Sequence, residues 1–383
     1  MRILFDFQDT IGGAPRSHLE HAKAMKSEGF KIIAVIGKEE EREFFKELDF
    51  DVNVIPTFKS TKTIFGKIEI LLHYKRLIEN KRLNLIYSNR SSQKSYLNVV
   101  SSLTGIPLLC ARAGGTGVSI VQKVNKNNHT IVYSDESYKE YKEIGFSEDK
   151  LHVIRNRIPV KELNTSNNRD HISLLIISNI KKDTYNGLLW FLEFLKKNSN
   201  SVNNNISVVL AGKFLNVNDE EKRKFESKAE GLNEHSKITF QFVGWVNNIE
   251  NYIENSLICI GKGRSILQPI IHDKLGFVIS EKGALFECNK KNYYKLRFTN
   301  FTGRNIPINE NDNYTLIDYL NNLNGIRKTE IKDIVLKDYS VLFLPKKLKH
   351  VVNESIEQGQ SKSNLKAIYS LLMIYYYKIK RRF

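Results

Sequence analysis

The sequence predicts an α/β protein of two domains, each a parallel sheet covered by helices on both faces. Three observations predict it: short, nearly continuous apolar runs rich in β-branched residues, longer amphipathic stretches between them, and one polar, Asn-rich break near the middle of the chain. At 383 residues the chain is long enough for two cores of ordinary size.

In the first half the strands are "RILFDF", "KIIAVIG", "DVNVI", "LNLIYS", "IPLLCAR", "TIVYS" and "LHVIRN". Helical patterns run from Ser17 to Glu28, Ile64 to Asn80, Gln93 to Leu103 and Ser137 to Ile144. The first domain is therefore assigned to residues 1–157 and a linker to 158–171, where "RIPVKELNTSNNRDH" loses apolar periodicity. Alternation resumes with "ISLLIIS", a helix from Gly187 to Lys197, "ISVVLAG", a charged helix near Asp219 to Glu230, "ITFQFVG", "SLICIG" and "FVIS", giving a second domain over 172–345. Residues 346–383 read as a helical basic tail ending in "NLKAIYSLLMIYYYKIKRRF". Such a tail suits either a terminal helix packed on the protein or a segment lying on an anionic membrane surface.

Composition narrows the partners. Hydrophobic residues at 41% with 10% aromatics describe a globular chain, and 59 Lys+Arg against 42 Asp+Glu give +17, which favours anionic ligands or surfaces. Basic residues are spread without the aromatic interleaving of a single-strand binder, which argues against nucleic acid. Cys110, Cys259 and Cys288 are unclustered and read as reduced core residues of a cytosolic protein. "MRILFDFQD" carries acids where a signal peptide needs an apolar core, and no run approaches a membrane span. Abundant Asn, Lys and Ile suit an AT-rich bacterial coding sequence.

Two loops carry the candidate chemistry. "RILFDF" is followed by Gly12 and Gly13 and then a helix; paired glycines beyond a strand let a backbone approach a phosphate, or make an ordinary turn. In "GKGRSILQPIIHDKLGFVIS", Lys262 and Arg264 flank a helix start, where basic residues are unfavourable unless an anion completes the site. A solvated loop is the alternative. Asp49-Phe50-Asp51 forms a D-x-D at a helix-to-strand handover and reads as a surface turn; His18 and His21 read as a helix face, and no metal spacing is present.

Together "ILFDFQDTIGGAPRSHLEHAKAMKSEGFKIIAVIG", "YSDESYKEYKEIGFSEDKLHVIRNRI", "GKGRSILQPIIHDKLGFVIS" and "NFTGR" resemble the GT-B glycosyltransferases of the retaining family 4 type, in that family's order and spacing. Within the second stretch, Val153, Ile154 and Asn156 match the family's V-I-x-N segment. The resemblance implies two Rossmann-like domains facing a cleft, C-terminal helices returning toward the first domain, and no metal or other cofactor. It implies a nucleotide-diphosphate sugar donor held by the second domain and an acceptor on the first. The acceptor is read as a cell-surface glycan or a lipid-linked saccharide, and the net charge and basic tail suggest peripheral contact at the inner face of the membrane. Residue by residue, it places Arg264 near the donor diphosphate, the backbone of Gly263, Ser265 and Ile266 at the helix start facing it, and Gly12 and Gly13 approaching the same phosphates. Lys181 or Lys182 would substitute for the family's usual basic pair, whose places Asn179 and Asn186 take.

Several departures matter. Gln268 stands where the family has a ribose-binding glutamate, so restoring Gln268→Glu is expected to tighten donor binding. Ile260 replaces a second glutamate, and Arg112 with Ala113 stand where relatives place a histidine. No catalytic residue is assigned. Three readings follow: a glycosyltransferase, a catalytically silent relative that binds a nucleotide sugar or a partner enzyme, and a sugar-nucleotide epimerase.

Overall fold

The computed structural model describes residues 1–383 apart from 8–12, 47, 90, 113–116, 161–171, 235–236, 247, 309–310, 326–327, 360 and 381–383. The chain forms two compact units, Met1–Pro159 with Ser340–Phe383, and Val160–Tyr339.

The first unit holds β1 (Arg2–Phe7), β2 (Lys31–Ile36), β3 (Asp51–Val54), β4 (Leu85–Ser88), β5 (Leu108–Arg112), β6 (Thr130–Val132) and β7 (Leu151–Val153). They pair in parallel in the order β3-β2-β1-β4-β5-β6-β7. Ile3, Leu4, Phe5 and Phe7 are all buried because helices cover both sheet faces, which is why this strand reads as an apolar run and not an alternation.

The second unit holds β8 (Ile172–Ile177), β9 (Ile206–Ala211), β10 (Ile238–Gly244), β11 (Ser256–Gly261), β12 (Leu275–Ile279) and β13 (Leu285–Glu287). Their order is β10-β9-β8-β11-β12-β13, parallel except for β13. The sequence pattern missed β13, a three-residue edge strand too short to show a period. In both sheets the order reverses beside the first strand, the signature of a doubly wound fold.

The second domain, expected over 172–345, runs to Tyr339 instead. Ser340 pairs with Ile158 in an isolated parallel bridge, and the Asn156 side chain donates to the Ser340 carbonyl at 2.8 Å while accepting from Lys347 Nζ at 2.9 Å. Of the expected linker, residues 161–171 lie outside the described residues. Residues 346–383, expected as a helical basic tail, contribute to two helices of the first unit, the side to which the C-terminal helices were expected to return. Helix Leu344–Gln358 inserts Leu344, Leu348, Val351 and Val352 into the core around β1, and Lys349 pairs with Glu28 at 2.8 Å. Helix Asn364–Lys380 buries Ala367 and Ile374 in the core beneath helix Ser91–Thr104, where Asn98 donates to the Ser370 hydroxyl at 3.1 Å. The three cysteines are buried and free.

The Asp49-Phe50-Asp51 segment leads into β3, which Asp51 opens: Asp49 has φ 47°, Lys26 lies 2.9 Å from its carboxylate, and Lys81 lies 2.8 Å from that of Asp51. In the second unit, helix Lys182–Lys197 packs so closely on the end of β12 that a Cβ at Gly187 would lie 2.3 Å from the Ser280 carbonyl oxygen. Backbone cannot yield there as a side chain would. Gly187→Ala is therefore expected to destabilise the second unit by about 1–3 kcal/mol, read as a lowered denaturation midpoint; an unchanged midpoint would refute this packing.

Candidate functional site

In the second unit the chain leaves β8 toward β9 and leaves β11 toward β12, so the two loops part at the carboxyl edge and open a crevice between neighbouring strands. Each loop is fixed from within. The Asn179 carbonyl accepts from Thr184 Oγ1 at 2.6 Å, its side chain accepts from the Lys213 N–H at 3.1 Å, and Thr184 Oγ1 also accepts from the Lys181 N–H at 3.0 Å. On the other side Gly263 adopts φ 55° and ψ −123°, a conformation that suits glycine, and the Ser265 N–H closes the turn onto the Lys262 carbonyl at 3.2 Å. The Gly263 N–H donates to the Phe301 carbonyl at 2.7 Å, seating "NFTGR" against the start of helix Arg264–Ile271.

Cations gather at this edge. Lys262 is mostly buried, 3.7 Å from Glu281, and its Nζ donates to the Asp183 carbonyl at 3.4 Å. Burial holds its ammonium below the ordinary lysine range, opposed by Glu281 and Asp183 and reinforced by Lys181 and Arg304. Lys181 pairs with Asp183 at 3.0 Å. Lys182, first in its helix, is exposed. Arg264 and Gln268 share the partly exposed stripe of their helix, opposite the buried Ile266, Leu267, Ile270 and Ile271. The backbone N–H groups of Ser265 and Ile266 already close the first turn onto Lys262 and Gly263, each at 3.2 Å, so an anion there would share them.

Gln268 is not isolated: its amide donates to Glu250 Oε1 at 3.3 Å. A carboxylate thus stands beside the position where the sequence showed only an amide. Gln268→Glu would set two carboxylates against each other here, which opposes the gain expected from it. Farther along the same edge Trp245 is 45% exposed, with Lys213 Nζ 5.2 Å from its ring.

In the first unit Gly12 and Ala113 lie outside the described residues, and a Cβ at Gly13 would meet nothing within 4 Å. The edge is lined instead by buried polar groups. Asp6 accepts from Tyr74 Oη at 2.8 Å and Ser88 Oγ at 2.9 Å. Lys94 is fully buried and donates to the Ala111 carbonyl at 2.7 Å; burial lowers its pKa to about 8. Arg112 is buried, 3.9 Å from Glu140. His18 and His21, read from the sequence as a helix face, are both fully buried. Both are held neutral by burial, His21 at a pKa of about 3 with Nδ1 2.6 Å from Tyr87 Oη.

Lys94, Asp6 and Glu250 went unassigned from sequence. A signal existed for Lys94: it is the single charged residue in helix Ser91–Thr104. Glu250 lies 18 residues from Gln268 and only the fold joins them.

No protein-family model matches the sequence, nor does any curated protein sequence. Solved structures do share its fold. Anabaena HepE, solved with UDP and glucose, has a TM-score of 0.68 over 92% of this chain and 99% of its own at 12% identity. A glycosyltransferase from Rickettsia africae gives 0.64 over 98% of each chain at 16% identity. A putative UDP-N-acetylglucosamine 2-epimerase from Listeria monocytogenes gives 0.60 over 94% of this chain and 98% of its own at 9% identity. The chain has the GT-B fold, with two Rossmann-like parallel-sheet domains.

A buried lysine has a measurable signature. The folded pKa of Lys94, about 8, lies below the ordinary 10.5, so its ammonium opposes folding at pH below 8 and that penalty is relieved as pH rises from 8 to 10.5. Wild type should therefore gain about 3 kcal/mol relative to Lys94→Met across this window, measured by denaturant unfolding at each pH. A constant difference would show that Lys94 is not buried as a cation.

Proposed function

We propose that this chain is a glycosyltransferase whose second unit binds the diphosphate of a nucleotide sugar at the parting of the β8 and β11 loops. The observation that carries this is the convergence of Lys262, Lys181, Arg304 and Arg264 on the start of one helix at the topological switch point, with Lys262 drawn below its ordinary pKa. An arriving diphosphate would neutralise that cluster. The fold shared with HepE, which was solved with UDP and glucose, supports the same reading.

In this account Arg264 and Lys262 hold the diphosphate and stabilise the charge it gains on leaving. Gly263 sets the turn that aims the helix start, with Ser265 and Ile266 sharing their N–H groups, and Lys182 supplies a further exposed cation. Glu250 takes the ribose hydroxyls, with Gln268 positioned beside it. Trp245 offers an exposed aromatic face for the base. The acceptor oxygen bonds to the anomeric carbon as the bond to the diphosphate breaks on the same face, giving retention, and the acceptor proton passes to the departing phosphate oxygen. No metal is assigned to this step. An epimerase is the second reading, favoured by the Listeria likeness, and it would convert donor without acceptor.

The test is calorimetric titration with UDP, GDP, CDP and TDP sugars. One nucleotide class should bind, Arg264→Ala should weaken it at least tenfold, Glu250→Gln should also weaken it, and Gln268→Glu should not strengthen it. Binding unchanged in Arg264→Ala would refute the assignment. Product formed without acceptor would favour the epimerase.

The acceptor is proposed to be a glycan or a lipid-linked saccharide held by the first unit, at an anionic membrane surface. No described helix is long and apolar enough to cross a membrane. Helix Asn364–Lys380 nevertheless exposes Leu365, Ile368, Leu372 and Tyr376 on one face, and helix Ile64–Lys81 exposes Ile64, Phe65, Ile68 and Leu72; Leu365 and Phe65 are 80% and 85% exposed. Apolar stripes flanked by lysines suit the interface of anionic lipid. The chain should sediment with anionic vesicles and not with neutral ones, and Leu365→Ser with Leu372→Ser should release it. Equal recovery in the supernatant with both vesicle types would reject the membrane contact.

A further inference from the structure

At the opposite, amino edge of the first sheet, three elements bring together side chains that the proposed reaction does not use. His129 directly precedes β6 and His152 lies in its parallel neighbour β7. Helix Leu344–Gln358 returns over this edge and supplies Glu354, whose ligand atoms lie within 4.8 Å of those of both histidines. His350, one turn earlier, has Nε2 3.5 Å from Glu354 Oε1. The other oxygen, Glu354 Oε2, is buried without a hydrogen-bond partner.

We infer that His129, His152 and Glu354 form a zinc(II) site, completed by water, that fastens the returning helix to β6 and the edge strand β7. Two imidazoles and a carboxylate are a donor set that suits zinc. The orientation of His129 is already fixed for this. Its Nε2 lies 2.9 Å from Gln358 Oε1, an acceptor that suits the tautomer with the lone pair on Nδ1, and Nδ1 lies 2.8 Å from His152 Nε2. A carbonyl holding the far nitrogen of a ligating histidine is the usual outer support of such sites. With zinc-to-nitrogen bonds of about 2.0–2.1 Å in a tetrahedron, the two nitrogens would stand roughly 3.3 Å apart, an opening of about half an ångström. Lys150 Nζ lies 3.4 Å from Nε2, on the nitrogen turned away from the metal position. An ion has access from solvent, since His152 and Glu354 are only partly buried. Sequence spacing could not show the site because its ligands come from the residue before β6, from β7 and from a helix some two hundred residues later.

The experiment uses the untagged full chain, stripped with a chelator and titrated with zinc or cobalt(II). One equivalent should bind at micromolar metal and raise the melting temperature, and cobalt(II) should give the visible absorption of a tetrahedral site. His152→Ala and the milder Glu354→Gln should each weaken binding at least tenfold. His73→Gln, which alters an exposed histidine paired with Glu69, should not. The inference is overturned if binding needs millimolar metal, or if Glu354→Gln and His152→Ala bind as wild type does; the two histidines then merely share a proton. Because the site lies in the first unit and needs no nucleotide, its failure would leave the donor-site reading untouched.

Discussion

A strand cannot pair in parallel with its neighbour unless the chain crosses over the sheet to return, and crossovers are right-handed. Everything else in this protein follows from that constraint being applied twice. In each unit the first strand lies inside the sheet, and the chain fills one side before it crosses to the other, so the loops after two neighbouring strands must diverge at the carboxyl edge. The crevice they leave is where backbone donors at helix starts and side chains from distant segments meet, without any segment being shaped for binding on its own.

What occupies these edges departs from what a stable core would choose. Lys262 is drawn toward the interior beside other cations, Lys94 is fully buried, and Gly263 holds a turn that other residues resist. Each opposes folding locally: Lys262 and Gly263 follow the carboxyl end of β11, and Lys94 reaches from its helix to the carbonyl of Ala111 near that of β5, where such conflicts concentrate in proteins that bind ligands. The apolar network elsewhere offsets them. β1 and helix Leu344–Gln358 share one core, so the last part of the chain helps hold the strand from which the first unit is built.

The α/β class and most strands were legible because strands buried on both faces leave continuous apolar runs in the sequence. β13, three residues long, left none. The end of the second unit was not legible either, since the deciding contact is the bridge from Ile158 to Ser340, made by residues with no distinctive pattern. At the candidate site the turn of Gly263 and the position of Arg264 could be read from adjacent residues. The Glu250 carboxylate beside Gln268 could not, because it arrives from another helix, and the same holds for His129, His152 and Glu354. Sequence spacing shows chemistry within one segment; chemistry assembled across segments needs the fold.

The central claim is that the second unit's switch point is an anion site for a nucleoside diphosphate. Hydrogen–deuterium exchange of the whole chain, with and without saturating UDP and then the other nucleoside diphosphates, tests it most directly. The account predicts slowed exchange confined to residues 178–187 and 262–268 with the nucleotide that binds. Protection elsewhere, or none at these segments with any of them, would contradict it.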